Sequence, residues 1–381
     1  MNILYISPYL PASNVDAGRL KMFEEIRLLV KKHKIYLVAF VTPEENCSYL
    51  ALEELGCKVY PFRVEYNRLP FKCAGFTNLI ENLLKDLKPD FIQCEYSFIT
   101  RYLPSFKGVG SLITIHDIYF ISYFRRAKIE NNLFLKLLFL LKSAKNLIEE
   151  GIRLRRFKTL VVFSERDKDI LTKLIGRKTE IRVVPLSINP DFYSSSSLNF
   201  NGQLEKEFDL CFLANFSHLP NVDGLLFFIK KVLPVLRKQK PEVSLLVIGR
   251  NPPERLLNLS QKIGVNFTGF VEDIGNYLLK SKVFICPIRF GSGLRGKILQ
   301  AWAMALPVIS TPVGCEGLIV KDGENILMAD DKEDFAKKII RLLDNEYLMG
   351  KVGMAGRDTL DKHYNLTKNI SLLENIYRGI K

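Results

Sequence analysis

The sequence predicts an α/β protein built from two doubly wound domains. Three observations carry this. Short apolar runs of strand length alternate with helix-length segments along the whole chain. Runs that are apolar throughout, rather than at every second residue, belong to parallel sheets covered by helices on both faces. The chain has 381 residues, more than one hydrophobic core usually supports. Finally, Pro185 to Glu205 is polar and rich in Ser and Asn, and it separates two such β/α series, as an interdomain segment would.

Taken in order, the first series offers strands at Ile3–Ser7, Ile35–Val41, Lys58–Pro61, Phe91–Gln93, Ser111–His116, Leu160–Phe163 and Ile181–Val184. Helical patterns such as Leu20–Lys32 and Leu79–Leu87 lie between them, with apolar residues at the helical period. The second series offers strands at Asp209–Ala214, Ser244–Ile248, Val265–Thr268, Val283–Pro287, Pro307–Ser310 and Ile326–Met328, and a last helix over Asn365–Lys381. We therefore expect one domain over residues 1–187, with the C-terminal helix 365–381 packing back on it, and a second over 188–364. Parallel sheets bind ligands at the carboxyl ends of their strands, where the strand order reverses. A cleft lined by such ends from both domains is the expected site.

Composition narrows the class. The hydrophobic fraction of 48% and charged fraction of 25% are those of an ordinary globular protein. Met1 runs directly into the strand NILYIS, so no leader is expected. The most apolar run, Leu133–Leu141, is interrupted by Lys136 and falls short of the ~20 residues that cross a membrane. Seven cysteines (47, 57, 73, 94, 211, 286 and 315) show neither a CxxC pair nor a metal spacing. This fits reduced, buried thiols in a cytosolic protein, and no metal site is expected.

The net charge of +14 is uneven. Residues 1–187 hold 30 basic and 20 acidic side chains, and Arg125–Lys158 alone holds 10 and 3. That segment interleaves its cations with Leu133, Phe134, Leu137, Leu138, Leu141 and Ile148. It reads either as a core-facing leucine stripe or as a basic amphipathic surface resting on anionic lipid headgroups at the inner membrane face. No aromatic-interleaved recognition motif accompanies the charge, so nucleic acid is not an expected partner.

The most informative stretch is Val283–Leu318. It reads as buried strand, glycine-rich turn, helix, buried strand and a second glycine turn. Gly291-Ser292-Gly293-Leu294-Arg295-Gly296 matches G-x-G-x-x-G, and Glu316 follows Gly296 by 20 residues, the pattern of a dinucleotide site. The motif lies late in its domain, the helix after it (about Lys297–Ala305) is short, and a glycine precedes Glu316. These features disfavour a nicotinamide cofactor. They favour a loop for a phosphate or sugar nucleotide, because helix N-terminal amides attract an anion and glycines let it approach. Arg295 and Lys297 stand at the same helix start, where cations oppose the helix dipole. An anionic ligand would resolve that mismatch; a solvated surface is the plainer reading.

In the first series, His116-Asp117 follows the strand SLITI. An imidazole at a strand's carboxyl end can bond a hydroxyl or move a proton. Pro8–Gly18 joins the first strand to the first helix, and Gly18 either lets the backbone pass close to a ligand or belongs to a rigid connector. Ser164-Glu165-Arg166-Asp167 reads as a helix N-cap.

Four stretches together resemble the retaining GT-B glycosyltransferases of family four, and among them the bacterial transferases that build polysaccharides and lipid-linked glycans. They are NILYISPYLP with Gly18; ITIHD; NFSHLPNVDGLLFF with LLVIGRNPP and GFVEDI; and PIRFGSGLRGKILQAWAMALPVISTPVGCEGL. The resemblance covers nearly the whole chain. It implies a UDP- or GDP-sugar donor held by the second domain, a glycan or lipid-linked acceptor held by the first, transfer with retention, and no cofactor or metal. It also implies that Gly291, Ser292, Gly293 and Leu294 border the donor diphosphate and sugar, with Arg295 and Lys297 neutralising the diphosphate. Val271 would border the base, and Gly18 would lie near the diphosphate. His116, with Asp117 beside it, would meet the transferred sugar, and Glu316 would lie on the donor side.

Two departures qualify this resemblance. Family members usually carry paired glutamates where this chain has Ser292 and Gln300. At the second position a glutamate would bond ribose hydroxyls, and an uncharged amide costs ~1–2 kcal/mol of that contact. The early part of the second domain, Asn215–Asp223, contains neither Arg nor Lys, so the diphosphate would depend on Arg295 and Lys297. The resemblance leaves room for a sugar-nucleotide epimerase of the same fold and for a degenerate, non-catalytic subunit.

Overall fold

The computed structural model describes residues 1–13, 16–45, 49–65, 72–106, 108–189 and 205–379. Cys47 and most of the Pro185–Glu205 segment lie outside the described residues. The described chain forms two compact units, Met1–Ser187 with Leu366–Lys381, and Ile188–Asn365.

The first unit holds seven strands: β1 (Asn2–Ser7), β2 (Lys34–Val41), β3 (Lys58–Arg63), β4 (Phe91–Glu95), β5 (Gly110–Ile115), β6 (Thr159–Val162) and β7 (Glu180–Val183). They pair in parallel in the order β3-β2-β1-β4-β5-β6-β7. The helices are α1 (Ala17–Leu29), α2 (Leu50–Glu54), α3 (Ala74–Leu87), α4 (Tyr119–Ile129), α5 (Leu133–Leu154) and α6 (Glu165–Ile175). Alternate residues of one strand feed two cores. Ile3 and Tyr5 join Leu37 and Leu112 in one, and Leu4 and Ile6 join Val38 and Ile113 in the other. Both faces are covered, which is why these strands are apolar throughout.

The second unit holds β8 (Phe208–Leu213), β9 (Leu245–Ile248), β10 (Asn266–Gly269), β11 (Ser281–Cys286), β12 (Val308–Ser310) and β13 (Leu327–Met328), parallel in the order β10-β9-β8-β11-β12-β13. Its helices are α7 (Leu219–Phe227), α8 (Leu233–Arg237), α9 (Glu254–Lys262), α10 (Ile274–Leu279), α11 (Gly296–Ala303), α12 (Lys332–Leu343) and α13 (Glu346–His363). The last helix, α14 (Leu366–Gly379), belongs to the first unit. Asn369 Nδ2 donates to Ser187 Oγ at 2.7 Å, Lys32 pairs with Glu374 at 2.9 Å, and Tyr377 is fully buried.

Each strand-length run of the sequence is a strand, its start within two residues of the apolar pattern, because ladder bonds are made by the backbone whatever the side chain. Helix starts depart further. α1 begins three residues before the apolar pattern, where Asp16 Oδ1 accepts from the amides of Gly18 (3.1 Å) and Arg19 (3.0 Å). α6 is capped as expected, with Ser164 Oγ accepting from Asp167 N at 3.1 Å. Among the described cysteines, six are free thiols and all but the half-buried Cys73 are buried.

Of the leucines of Arg125–Lys158, Leu154 joins the core, but the apolar stripe before it does not. On α5, Leu133 is 80% exposed and Phe134 75%, and Leu137, Leu141, Ile148 and Ile152 are exposed as well. At 3.6 residues per turn these six fall within an arc of about 100°, with the exposed Lys136, Lys142 and Lys145 beside it.

Candidate functional site

In the second unit the strand order reverses between β8 and β11. The loops leaving these two strands therefore diverge and open a crevice at the carboxyl edge. The loop after β8 runs from Ala214 into α7, and the loop after β11 is the glycine turn that opens α11. The two are joined by Lys297, whose Nζ donates to Asn221 Oδ1 at 2.6 Å, while Asn221 Nδ2 donates to the carbonyl of Asn215 at 2.7 Å. The ammonium also lies 4.7 Å from the centre of the Phe212 ring. Burial pushes the Lys297 amine down to about 8, and the nearby Arg295 adds to the shift while Cys286 opposes it. A cation held in a site that disfavours its charge is a place where an anion would be welcome.

Arg295 is the residue preceding α11. Its Nη1 donates to the carbonyl of Gly293 at 2.8 Å and to that of Ser292. Its guanidinium also lies over Gly291, where a Cβ would stand 2.7 Å from Nη2. Gly291 adopts φ +112°, a conformation that side chains avoid. Arg295 thus braces the turn whose backbone it extends. Ser292 and Gln300 are buried, while Leu294 is half-buried. Glu316 lies in the turn after β12, which is tied to the end of β11 by the bond from Thr311 N to Cys286 O (3.2 Å). Val271 follows β10 at the sheet's edge, on the same carboxyl side but two strands from β8. The Asn215–Asp223 stretch, although it lacks cations, supplies two acceptors to basic residues. One is Asn221; the other is Asp223, which takes both Nε (2.9 Å) and Nη2 (2.8 Å) of Arg289.

In the first unit the order reverses between β1 and β4. Here the structure brings Gly18 and His116 together. A Cβ on Gly18 would stand 3.3 Å from His116 Nδ1 and 2.3 Å from the Tyr96 hydroxyl. The His116 ring stacks on Tyr96 at 3.7 Å and 14°, and meets the edge of Phe163 at 5.1 Å. Its Nε2 lies 2.6 Å from Glu95 Oε2. Asp117 is half-buried in the loop just after it. Glu95, Tyr96 and Asn221 are functional candidates that sequence reasoning missed. Glu95 did leave a trace: it is the one acid in the otherwise uncharged run FIQCE, and a charge inside a doubly covered strand requires a partner. Asn221 left none, because its bond spans 76 residues.

Residues 207–345 match the family model described as Glycosyl transferases group 1. Over nearly its whole length the chain is similar to a 44.6 kDa protein of the cps region of Klebsiella pneumoniae, with 23% identity covering 97% of this chain and 98% of that one. Over a shorter stretch it is 31% identical to the lipopolysaccharide core biosynthesis glycosyltransferase LpsE of Rhizobium meliloti, covering 32% and 37% of the two chains. Among solved structures, a sucrose-phosphate synthase of Thermosynechococcus elongatus superposes with a TM-score of 0.77 at 16% identity, covering 100% of this chain and 99% of that one. HepE of Anabaena, solved in complex with UDP, superposes with a TM-score of 0.71 at 13% identity over all of both chains.

Two parallel, doubly wound sheets with their order reversals, and these likenesses, define the class: the fold is that of the GT-B glycosyltransferases. With the group 1 match of its second unit, the chain is a GT-B glycosyltransferase.

Proposed function

We propose that the chain is a retaining, metal-independent hexosyltransferase of the family-four type. It would move a sugar from a UDP- or GDP-linked donor to a glycan or lipid-linked acceptor during cell-surface polysaccharide synthesis. The observation that carries this reading is the partly buried Lys297 ammonium beside Arg295 at the glycine turn, placed at the order reversal of the second sheet. Two cations and a helix N-terminus supply the charge that a diphosphate leaving group needs, a task otherwise given to a metal ion. In this reading the amides around Gly291–Leu294 border the diphosphate and sugar, Gln300 the ribose and Val271 the base, with Glu316 on the donor side. Gly18 would lie near the diphosphate, and His116, with Asp117, would serve the transferred sugar.

Several likenesses support the substrate class without assigning it. HepE is solved with UDP-glucose, and by name one relative is a protein of a cps region and another a lipopolysaccharide core biosynthesis glycosyltransferase. The test is calorimetry with UDP-, GDP- and ADP-sugars, followed by product analysis with and without a glycan acceptor. Tight binding of one donor and transfer only with acceptor is expected. Donor interconversion without acceptor would indicate an epimerase. Folded protein that binds none of the donors would point to the degenerate subunit, and Gln300→Glu would then be the restoring change to measure.

We further propose that this transferase acts in the cytosol, at the inner face of the membrane, resting on anionic lipid through α5. Six large apolar side chains share one exposed arc with lysines beside them, the pattern of an in-plane amphipathic helix. Among the described residues no helix is long and apolar enough to cross a membrane. The protein should sediment with vesicles containing phosphatidylglycerol and leave them at high salt, while Leu137→Glu/Leu141→Glu should remain in the supernatant with an unchanged melting temperature. Self-association through this face, seen by light scattering and abolished by the same double change, would replace the lipid reading.

A further inference from the structure

The carboxyl end of β4 carries an arrangement that the transferase reading does not require. In an extended strand, consecutive side chains point to opposite faces. Glu95 and Tyr96 are consecutive, yet both touch His116: Glu95 Oε2 meets Nε2 at 2.6 Å, and the Tyr96 ring stacks on the imidazole at 3.7 Å. The alternation is broken because Tyr96 has φ +66°, a left-handed conformation that costs a non-glycine residue about 1 kcal/mol or more. The surroundings must stabilise that backbone, and what it achieves is a two-sided grip on one imidazole.

Glu95 is itself held on all sides. It is fully buried. Its Oε1 accepts from Gln93 Nε2 at 2.7 Å, from the Tyr5 hydroxyl at 2.8 Å and from Lys21 Nζ at 3.3 Å. Lys21 in turn pairs with Glu25 at 2.6 Å. Burial alone would raise the Glu95 carboxyl group; the Lys21 ammonium and the hydrogen bonds from His116 and Gln93 outweigh it and hold the group down at about 2. An ionised carboxylate can only accept, so His116 Nε2 carries the hydrogen. In the neutral ring Nδ1 is then the acceptor, and it lies on the side of Gly18. The last turn of the chain closes the network, because the Tyr377 hydroxyl of α14 donates to Gln93 Oε1.

We infer that Glu95 and Tyr96 are positioning residues for His116, fixing its tautomer and ring plane so that Nδ1 faces the start of α1, and that Tyr377 of the C-terminal helix braces Glu95 through Gln93. This rests on the reading that His116 meets the transferred sugar. It goes beyond that reading in naming what aims the imidazole and in tying the aim to the chain's last helix.

The experiment has two arms. The first needs no substrate: long-range proton–nitrogen NMR of the four histidines, with His116→Asn to assign the signal, at about pH 9, where an imidazole is neutral. The full-length protein should show His116 in the Nε2–H tautomer. Glu95→Gln should shift it toward a mixture, and Tyr377→Phe should shift it part of the way. Should Glu95→Gln not fold, Tyr96→Leu keeps the carboxylate and should displace the ring signal alone. The second arm is turnover. Glu95→Gln should lower kcat about 100-fold with the donor KM within about threefold, as loss of aim rather than of donor binding. An unchanged tautomer in Glu95→Gln and an unchanged His116 signal in Tyr96→Leu would overturn the inference. If the intact protein turns over no donor but the tautomer shifts as stated, the transferase reading fails and the positioning stands.

Discussion

Replacing Lys297 with Met is expected to weaken donor binding by about 100-fold while making the protein more stable. A charge-assisted bond to a diphosphate contributes about 1.5–3 kcal/mol, and Met keeps the stem but removes the ammonium. The stability gain has the opposite sign for a physical reason. The amine lies at about 8, well below its ordinary 10.5, so the empty fold disfavours the charged form. Near neutral pH that charge costs the fold about 1–3 kcal/mol, a cost the apolar side chain avoids.

The same residue sets the pH dependence of binding. In the free protein Lys297 loses its proton as pH rises through about 8, and a bound diphosphate would hold that proton on. Donor affinity should therefore be full below about pH 8, decline as pH rises beyond it, and be accompanied by proton uptake. Calorimetry at two pH values, in buffers of different ionisation enthalpy, measures this directly. Lys297→Met should bind weakly with a flat profile. Equal affinity in the two proteins would remove Lys297 from the donor site. Arg295→Ala is a less clean change, because Arg295 also bonds the carbonyls of Ser292 and Gly293, so weakened binding there would mix lost charge with a loosened turn.

The second large effect is expected from one methyl group. In a helix, Gly→Ala ordinarily stabilises by about 0.5–1 kcal/mol. At Gly18, in the first turn of α1, the added carbon would meet the Tyr96 hydroxyl at 2.3 Å and His116 Nδ1 at 3.3 Å. Tyr96 cannot yield freely, since its ring is stacked on His116 and met edge-on by Tyr9 at 5.3 Å. Gly18→Ala should therefore cost activity at least about 100-fold through displacement of the imidazole, with far-ultraviolet circular dichroism unchanged. Tyr96→Phe removes the one atom in severe conflict, and the double variant Gly18→Ala/Tyr96→Phe should recover at least tenfold over Gly18→Ala. Absence of recovery would show that the methyl acts elsewhere, for example on a ligand that needs the same space.

How much of this was legible beforehand follows from the range of the interactions concerned. The strands could be read because a doubly covered parallel strand must be apolar at every position, as FIQCE and VFIC are but for Gln93 and Glu95. The Ser164 cap could be read because its partner is three residues away. The face of α5 could not. Leucines at helical spacing look alike whether they face a core or the outside, and only the structure places Leu133, Phe134 and Leu137 on the exposed side. Residue type and spacing present Arg295 as a cation for an anionic ligand, whereas its bonds to the turn carbonyls of Ser292 and Gly293 follow from a backbone turn with φ +112° at Gly291 that spacing does not reveal.

Residue order alone carries the architecture and the catalogue of chemically capable residues: two parallel sheets, a cationic glycine turn, an imidazole at a strand end. Those properties are local, written in residue type and spacing over a dozen positions. Which of them meet is a matter of how the folded chain brings distant segments together. Lys297 reaches Asn221 across 76 residues, His116 reaches Glu95 across 21, and Tyr377 reaches Gln93 across 284. Such bonds depend on strand order and on one left-handed residue, Tyr96. Neither leaves a periodic mark in the chain, because the sheet is assembled by burial that many strand orders would satisfy equally well.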